Sequence, residues 1–512
     1  MVFADLHLEL QRLPAPLPIW HARVDRAGWS VLAVQVAQAH GRLLSVWGRH
    51  GSDGPSVCAA FATTEGLLWA ELPLAGAEDR YPDLSATFAC ATRMQRSLAD
   101  LGGLQADAAV DHRPWLDHGL WAAAAPLASG MTPAGAAAGT WPADYPFVRV
   151  EGDGVHEIAV GPVHAGIIEP GHFRFSVVGE KVLRLEQHLG YVHKGIERRF
   201  TELAPLQAFR LAGRVSGDST VVYAWAYAMA LESCCGTAVP ERADWLRALM
   251  LERERVANHL GDLGALGNDA ALAFGLAQFS RLREDWQRLS QRAFGHRFMM
   301  DAVVPGGVAG DVSLSLRDEQ RRQCDDVERE VQRLRHIYDE HAGLQDRFMG
   351  TGRVVPELAA RLGLTGMAGR ASGQAVDLRH GHAWQPYRTL QARIATQQGG
   401  DVAARVALRF DELAESLRLI RELCVRLPEG GTAGAIELPG RAVQGAGWVE
   451  GWRGEVLVAL SLGADGRIER CHCHDPSWQN WPVLEHAVIG NIVPDFPLIN
   501  KSFNLSYSGV DL

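Results

Sequence analysis

An aspartate between two serines is the segment of this chain whose residue types most directly suggest proton chemistry. Asp218 stands between Ser216 and Ser219, and the apolar run Val221–Ala230 follows. A carboxylate flanked by hydroxyls can take up and release protons, and burial would raise its pKa. Aspartate is also favoured at the start of a helix, where it accepts hydrogen bonds from free backbone N–H groups. The sequence leaves both interpretations open, a proton site and a helix cap.

A second group of candidate ligands is the run Cys471-His472-Cys473-His474. A zinc site needs ligands that converge on one point. On a strand, however, alternate residues point to opposite faces, so the cysteines would leave one face and the histidines the other. The pattern therefore favours a plain strand over a metal site. The chain has eight cysteines, and they include no C-x-x-C pair and no spacing typical of disulfides.

The composition indicates a large soluble chain with more than one domain. It has 512 residues, of which 47% are hydrophobic, and a formal net charge of −10. That charge gives no electrostatic reason to expect nucleic acid as a partner. No apolar run reaches the roughly 18–20 residues of a transmembrane helix, and the first residues carry acid where a secretory signal carries base. We therefore expect a cytoplasmic protein.

Three regions follow one another along the chain. Residues 1–120 suggest a small α+β domain, residues 121–146 are an Ala/Gly/Pro-rich linker, and residues 147–512 form one larger unit. In that unit, apolar residues at helical spacing predict helices over 219–235, 241–266, 272–295, 315–345 and 401–426. Strands are predicted near 147–150, 157–160, 173–178, 181–185, 446–460 and 467–473. The fold class is α+β, a small α+β domain before a mainly helical bundle flanked by small β-sheets.

Several segments of the larger unit together resemble one superfamily. In chain order they are Gly161-Pro162-Val163-His164, His193-Lys194-Gly195-Ile196-Glu197, Asn258-His259-Leu260, Pro305-Gly306-Gly307-Val308 and Arg370-Ala371-Ser372-Gly373. Over residues 150–512 the chain resembles nickel–iron hydrogenase large subunits and the related D subunit (49 kDa) of respiratory complex I. Tyr81-Pro82-Asp83-Leu84 and His112-Arg113-Pro114 give the N-terminal region a resemblance to the complex I C subunit (30 kDa). A C–D fusion is typical of formate-hydrogenlyase-type large subunits.

The chain departs from the hydrogenases at the four positions that the resemblance assigns to nickel. Ser216 and Ser219 stand where the family has the cysteines of R-V-C-G-I-C, and Ser477 and Asn480 replace those of D-P-C-x-x-C. A serine hydroxyl is a hard and much weaker ligand than a thiolate at neutral pH. The sequence therefore predicts a hydrogenase-like protein without nickel, which is not an active nickel–iron hydrogenase.

The resemblance also implies a quinone site. In the D subunit of complex I, the cleft equivalent to the nickel site of the hydrogenases receives a quinone head group through a histidine, a tyrosine and an aspartate. His164 matches one family histidine, and His172 lies near a second but out of register. Gly217 takes the place of the tyrosine, whereas Asp269 is in register with the aspartate. The alternative for His164 is a hydrogen bond to backbone. The alternative for Asp269 is a surface carboxylate, although its register favours the cleft.

The resemblance implies one component of a membrane-associated oxidoreductase complex related to NADH:quinone oxidoreductase. A small iron–sulfur subunit, similar to the B subunit of complex I, would supply electrons, because this chain has no cysteine set for a cluster of its own. Membrane-arm subunits would hold the chain at the cytoplasmic face of the inner membrane. The cleft would host a quinone or a proton-coupled switch, with Asp218, Asp269 and His164 handling protons. The alternative is a non-catalytic scaffold that couples its partners.

Two further groups have structural interpretations. Arg370, Asp377 and Arg379 form either surface ion pairs, which contribute little, or a buried network near the partner subunit, which the resemblance implies. The aromatic group is expected in the core and comprises Trp448, Trp452, Trp478 and Trp481. The tail, residues 491–512, resembles that of metal-free relatives, and we expect it to be part of the folded structure.

Overall fold

The structure, a computed structural model, describes residues 8–75, 80–121, 124–128 and 145–512. Most of the predicted linker, residues 122–123 and 129–144, lies outside the described residues. The domain boundaries at residues 120 and 147 therefore stay a prediction.

A five-stranded mixed sheet dominates the N-terminal region. Its strands are β1 (Gln11–Arg12), β2 (Ile19–Arg23), β3 (Arg42–Gly51), β4 (Gly54–Thr63) and β5 (Gly66–Pro73), in the order β1-β2-β5-β4-β3. Strands β2 and β5 run parallel, whereas the other neighbours in this sheet are antiparallel. Helix α1 (Arg26–Gln38) connects β2 to β3. Because of this crossover β3 runs in the same direction as β2, and two hairpins later β5 does too. The Asp25 side chain caps α1 by accepting a hydrogen bond from the Gly28 N–H at 2.7 Å. Helix α2 (Ala91–Gly102) lies between the short parallel strands β6 (Arg80–Pro82) and β7 (Gln105–Asp107).

The larger part begins with an antiparallel sheet and continues as a helical bundle. The sheet consists of β8 (Val155–Val160), β9 (His172–Val178) and β10 (Lys181–His188). The long helices are α5 (Thr220–Cys235), α6 (Glu241–Asp269), α7 (Ala273–Phe294), α8 (Leu314–Glu340) and α14 (Val402–Arg426). The shorter elements are α3 (Ile196–Phe200), α4 (Pro205–Ala212), α9 (Ala342–Phe348), α10 (Pro356–Leu362), α11 (Gly366–Arg370), α12 (Leu378–Gly381), α13 (Tyr387–Leu390) and the ribbon β11 (Val303–Val304) with β12 (Gly307–Val308).

A third sheet and three helices complete the chain. The sheet is an antiparallel meander of β13 (Val443–Glu450), β14 (Glu455–Leu462) and β15 (Ile468–His474). The helices are α15 (Ser477–Val488), α16 (Phe496–Phe503) and α17 (Ser508–Asp511). The α+β fold class is confirmed, and the predicted helices agree with the observed ones to within a few residues. One exception is 315–345, where the chain leaves the helix at His341 and starts α9.

Helix α5 is the centre of the bundle and packs directly on the third sheet. It is apolar on all sides and buried over nearly its whole length, as expected for a helix surrounded by protein. The contact is so close that strand β13 requires glycine at two positions. A Cβ atom on Gly447 would lie 1.9 Å from the Ala226 carbonyl oxygen, and one on Gly445 would lie 2.4 Å from that of Ala230. Larger residues there would push α5 off the sheet.

Residues 147–150 do not form the predicted strand. Pro146 offers no N–H group for a ladder, and the Val148 N–H donates instead to the Glu186 side chain at 2.8 Å. Phe147 lies against His172, with ring centroids 5.0 Å apart. The N–H groups of residues 147 and 148 thus bond to the Tyr145 carbonyl and to a side chain, and the segment pairs with no strand among the described residues.

The strand prediction for Cys471–His474 is confirmed, since all four residues belong to β15 and are buried. Both faces are covered because the N-terminal sheet packs on this one. His472 lies 2.7 Å from the Ser45 hydroxyl and 2.7 Å from the Glu197 carboxylate, and it stacks on Trp47. The four tryptophans expected in the core are also buried. None of the described helices is long and apolar enough to cross a membrane.

Candidate functional site

Two of the four residues predicted to replace nickel ligands, Ser216 and Ser477, contact one residue of the tail, Ser506. The Ser506 hydroxyl lies 3.0 Å from that of Ser216, and its backbone N–H donates to the Ser477 hydroxyl at 2.9 Å. Ser219 accepts hydrogen bonds from Trp452 at 3.1 Å and Arg453 at 3.2 Å. The two motifs, more than 250 positions apart in sequence, are thus joined through the tail.

Asn480 is held by a separate pair of hydrogen bonds. Its side-chain oxygen accepts from the Thr365 N–H at 3.0 Å, and its side-chain nitrogen donates to the Thr365 carbonyl at 3.2 Å. Both ends of the amide are therefore engaged in bridging α15 to the start of α11. In this chain, Asn480 connects two helices through hydrogen bonds that a thiolate could not make.

The tail itself is packed into the molecule. Leu505, Tyr507 and Val510 are buried, and a Cβ atom on Gly509 would lie 2.6 Å from the Asp475 carboxylate. The Leu512 carbonyl oxygen accepts hydrogen bonds from the N–H groups of residues 194 and 196, at 3.0 and 3.2 Å. The expectation of a folded tail is confirmed, and its Ser506 occupies the space between the two motifs.

These donors do not fit a nickel centre. The hydroxyls and the amide are neutral, hard groups that already bond to one another, to backbone or to Arg453, whereas such a metal is held by thiolates. Across the described ranges, no group of three or more His, Cys, Asp or Glu side chains could hold a metal ion. The arrangement is therefore a hydrogen-bonded polar cluster, and the chemistry it can support is that of its ionisable groups.

Asp218 forms an ion pair with Arg453. Two terminal guanidinium nitrogens donate to the two carboxylate oxygens at 2.8 and 2.6 Å. Burial alone would raise the pKa of Asp218, but Arg453 and the hydroxyls of Ser216 and Ser219 outweigh it, and the pKa is lowered. The expectation of a raised pKa is thus wrong for this residue, because the sequence did not reveal its partner. Asp218 is ionised and is the fixed negative charge of the site.

The alternative interpretation of Asp218, as a helix cap, is also wrong. Helix α5 begins at Thr220 without a side-chain cap from the preceding residues. Its first free N–H groups, on Val221 and Val222, donate instead to the Glu254 carboxylate at 2.6 and 3.3 Å. Glu254 comes from α6, so the cap is supplied from another helix. Burial and the nearby Asp218 raise the pKa of Glu254 to about 8 despite the two backbone hydrogen bonds.

Glu254 is the functional candidate that sequence reasoning missed. It is only 5% exposed and lines a small cleft, with a cavity volume of about 20 Å³, together with Asp218, Asn258 and Arg253. The Asn258 side chain donates to the carbonyl oxygens of Asp218 and Glu254 at 2.7 and 2.9 Å. That hydrogen-bonding pattern fixes the segment 217–219 to α6. The one signal in the sequence is the run of four charged residues, 252–255.

Arg370, Asp377 and Arg379 form the buried network that was one of the two predictions. All three are at most 3% exposed, and the ion pair between Arg379 and Asp377 measures 2.7 Å. Arg379 also contacts Glu252, and Arg370 contacts Glu412 at 2.7 Å. The surface interpretation is therefore wrong. The network ties α6, α12 and α14 together behind the cleft.

The three predicted quinone contacts are not brought together. The His164 ring nitrogen lies 2.8 Å from the Gly171 carbonyl, which is the backbone alternative for that residue. His172 is buried, and its Nε2 has no hydrogen-bond partner within the described chain. Asp269 is exposed at the last position of α6, about 16 Å along the helix from Asn258 at 1.5 Å per residue. The expected buried position of Asp269 is wrong, because α6 carries it out of the bundle.

Residues 262–441 of this chain match the model of a known protein family, the one described as respiratory-chain NADH dehydrogenase, 49 Kd subunit. Formate hydrogenlyase subunit 5 of Escherichia coli (strain K12) is 32% identical over 72% of this chain and 65% of its own length. The chain thus spans just under two thirds of that relative. The carbon monoxide-induced hydrogenase of Rhodospirillum rubrum is 31% identical over 68% of this chain and 97% of its own length.

Two further comparisons agree with these. NADH-quinone oxidoreductase subunit 4 of Thermus thermophilus is 29% identical over 54% of this chain and 68% of its own length. A chain from the structure of the membrane-bound sulfane sulfur reductase, an archaeal respiratory membrane complex, superposes with a TM-score of 0.66. It is 24% identical and covers 70% of this chain and 98% of that chain. That structural likeness shows the shared fold.

Proposed function

The chain belongs to the family of hydrogenase large subunits and complex I 49 kDa subunits, and on this premise we propose that it is a nickel-free component of a membrane-associated oxidoreductase complex. Its cleft couples electron arrival from a small iron–sulfur subunit to a proton-linked charge change. Membrane-arm subunits hold it at the cytoplasmic face of the inner membrane. Relatives named as hydrogenases and quinone oxidoreductase subunits support this placement.

The ion pair between Asp218 and Arg453 is the observation that carries the proposal. Asp218 lies in sequence between Ser216 and Ser219, two of the positions that the resemblance assigns to nickel, and Arg453 also donates to Ser219, so the pair provides a charged centre beside those positions. Arg453 is 8% exposed, and a bidentate carboxylate–guanidinium pair of this kind is strong and geometrically fixed. A fixed pair beside a titratable carboxyl group supports proton-coupled chemistry without any metal.

The residues of this chain fit a quinone head group less well. Of the family's histidine, tyrosine and aspartate, the first is matched by His164, which is engaged with backbone, the second is replaced by Gly217, which offers no side-chain donor, and the third is matched by Asp269 at the far end of α6. No quinone step is therefore assigned to named side chains. The acceptor, which would be a quinone in a complex of the complex I type, would be bound with help from the partner subunits.

The second candidate function is a scaffold that only couples its partners mechanically. It is favoured by one specific observation, the insertion of Ser506 between Ser216 and Ser477. A site filled by its own tail leaves little room for a substrate. The raised pKa of Glu254, caused by burial, favours the proton-coupled role over the scaffold.

Assembly provides the test of the proposed function. The chain is co-expressed with the small iron–sulfur subunit encoded by the same host and purified through a tag on the chain. We expect a stable complex that carries the iron–sulfur cluster of the partner. Recovery of this chain without that partner, under conditions in which both are soluble, would count against the proposal.

A further inference from the structure

We infer that Glu254 is the proton-exchanging group of the cleft beside Asp218. The inference deepens the proposed function and rests on it, because a proton site has a use only if charge moves through this cleft. The group would bind and release a single proton. Three features support this role, namely the partners of its carboxylate, the inequality of its two oxygens and the charges around it.

Glu254 differs from its acidic neighbours in lacking a basic partner within the described chain. Asp218 pairs with Arg453, Glu252 with Arg379, and Asp262 with Arg409, each at 3.1 Å or closer. Among the described residues, the carboxylate of Glu254 accepts hydrogen bonds only from backbone N–H groups of α5. A buried carboxylate that no basic side chain contacts has little Coulombic compensation for its lost hydration, so its neutral form becomes accessible near neutral pH.

The two carboxylate oxygens of Glu254 are held unequally. Oε2 accepts from the Val221 N–H at 2.6 Å, whereas Oε1 lies 3.3 Å from the Val222 nitrogen. Protonation of Oε1 would therefore cost one weak hydrogen bond and leave the strong one intact. The positive end of the α5 dipole stabilises the ionised form. The site can thus hold both forms of the carboxyl group without rearranging α5.

Charged groups surround Glu254 on several sides. Asp218 faces Glu254 from the segment 217–219, and it is paired with Arg453 from the loop after β13. The other charges are arginines of α6, of α7 and of the loop after α7, namely Arg253, Arg255, Arg283 and Arg297. The negative charge of Asp218 raises the pKa of Glu254, after the larger effect of burial, and Arg255 opposes both. A charge that arrives beside the fixed Asp218–Arg453 pair, such as an electron from the partner subunit, would likewise shift the proton affinity of Glu254.

The proposed step involves one proton and one bond. A hydronium ion from the solvent transfers its proton to the ionised carboxylate of Glu254, so that one O–H bond of hydronium breaks, an O–H bond forms at Oε1 and a water molecule is left. When the charge of the cleft changes, the same bond breaks and the proton returns to the cleft or passes to a reduced acceptor. No metal, oxidant or covalent intermediate takes part in this exchange.

Infrared spectroscopy of the purified chain in complex with its iron–sulfur partner tests the inference. The C=O band of a protonated carboxylic acid should disappear as the pH is raised through about 8. Because burial also raises the pKa of Asp244, Glu450 and Asp511 to about 7, the band of Glu254 is assigned by subtracting the spectrum of Glu254→Gln. The control is Glu241→Gln, an exposed acid on the same helix, which should leave the band assigned to Glu254 unchanged.

The infrared result separates failure of this inference from failure of the proposed function. If the titrating band survives in Glu254→Gln, or if no band titrates near pH 8, the inference is overturned while the assembly test stands. If Glu254→Gln does not fold, Glu254→Asp keeps a carboxyl group and should shift the midpoint of the band. An unshifted midpoint in that variant would also overturn the inference.

Turnover of the assembled complex provides the second readout. Loss of a proton-exchanging group lowers rates by roughly 10²–10⁴-fold, so Glu254→Gln should lose turnover and the wild-type dependence on pH around 8. A titrating Glu254 band in a complex whose Glu254→Gln variant turns over at the wild-type rate would show a proton site that the reaction does not use, and would overturn the inference.

Discussion

Arg453 binds Asp218 through both of its terminal nitrogens, at 2.8 and 2.6 Å. The two residues come from segments more than 230 positions apart, and both adjoin Ser219. The same arginine also donates to Ser219 and to the Asn504 carbonyl. One guanidinium group therefore connects the segment before α5, the third sheet and the tail.

The first prediction concerns this pair. Asp218→Asn keeps the size of the side chain but leaves Arg453 buried without a counter-charge, which should lower the free energy of unfolding by about 1–3 kcal/mol. Turnover of the assembled complex should fall by roughly 10²–10⁴-fold, because the charge of Asp218 helps to set the proton affinity of the proton-exchanging Glu254. Denaturant unfolding and complex assays measure the two effects. Asp301→Asn, which breaks the exposed pair with Arg214, is the matched control and should change stability by less than about 1 kcal/mol.

The second prediction concerns nickel. The wild-type chain should contain no stoichiometric nickel, and the quadruple variant Ser216→Cys, Ser219→Cys, Ser477→Cys and Asn480→Cys should not gain it. The reason is that Ser506 of the tail still lies between the motifs. Elemental analysis after expression with a nickel-inserting maturation system measures the content. About one nickel per chain in the wild type would contradict the account.

The third prediction concerns the junction of the first and third sheets. His472→Leu removes contacts to Ser45 and Glu197 and leaves the Glu197 carboxylate with Arg470 as its remaining partner. The free energy of unfolding should fall by about 2–4 kcal/mol. The exposed His156→Leu serves as control. Because the residues of β15 are structural, a chelator should not change the melting temperature of the wild type, and a drop with chelator would revive the zinc interpretation.

The fourth prediction concerns pH and His188. Burial, with His118 and Arg96 nearby, lowers the pKa of His188 to about 3, and its ring stacks on Tyr145 at 4.0 Å. Between about pH 6.5 and 3 the unfolded chain binds a proton that the folded chain does not, so stability falls as the pH falls, by up to about 1.4 kcal/mol per pH unit. His188→Phe should flatten this slope. An unchanged slope, measured by unfolding at several pH values, would contradict the assignment.

The sequence predicted the long helices well because their apolar periodicity is local. It also predicted that β15 is a strand, because alternation along four residues suffices for that conclusion. The strand at 147–150 failed since the partner of the Val148 N–H, Glu186, is a side chain 38 positions away. Pairing of that kind leaves no local pattern.

The charged residues of the site were the least predictable part. Residues 252–255 are four charges in a row, a pattern typical of an exposed helix face, yet all four are at most 5% exposed. Their partners come from remote segments, as with Glu252 and Arg379 or Arg255 and the Glu450 carbonyl. Asp269 shows the converse, because the motif predicted a buried position for it, whereas the end of α6 carries it to an exposed one. Register along a helix predicts neither burial nor partner.

Quinone reduction by the intact complex tests the central claim most directly. The complex is purified from membranes through a tag on this chain, its iron–sulfur partner is reduced, and the rate of quinone reduction is compared with that of the Asp218→Asn complex. We predict turnover without nickel in the wild type and a loss of roughly 10²–10⁴-fold in the variant, with assembly unchanged. Equal rates in the two complexes, or no turnover in a wild-type complex with an intact cluster, would contradict the account and favour the scaffold.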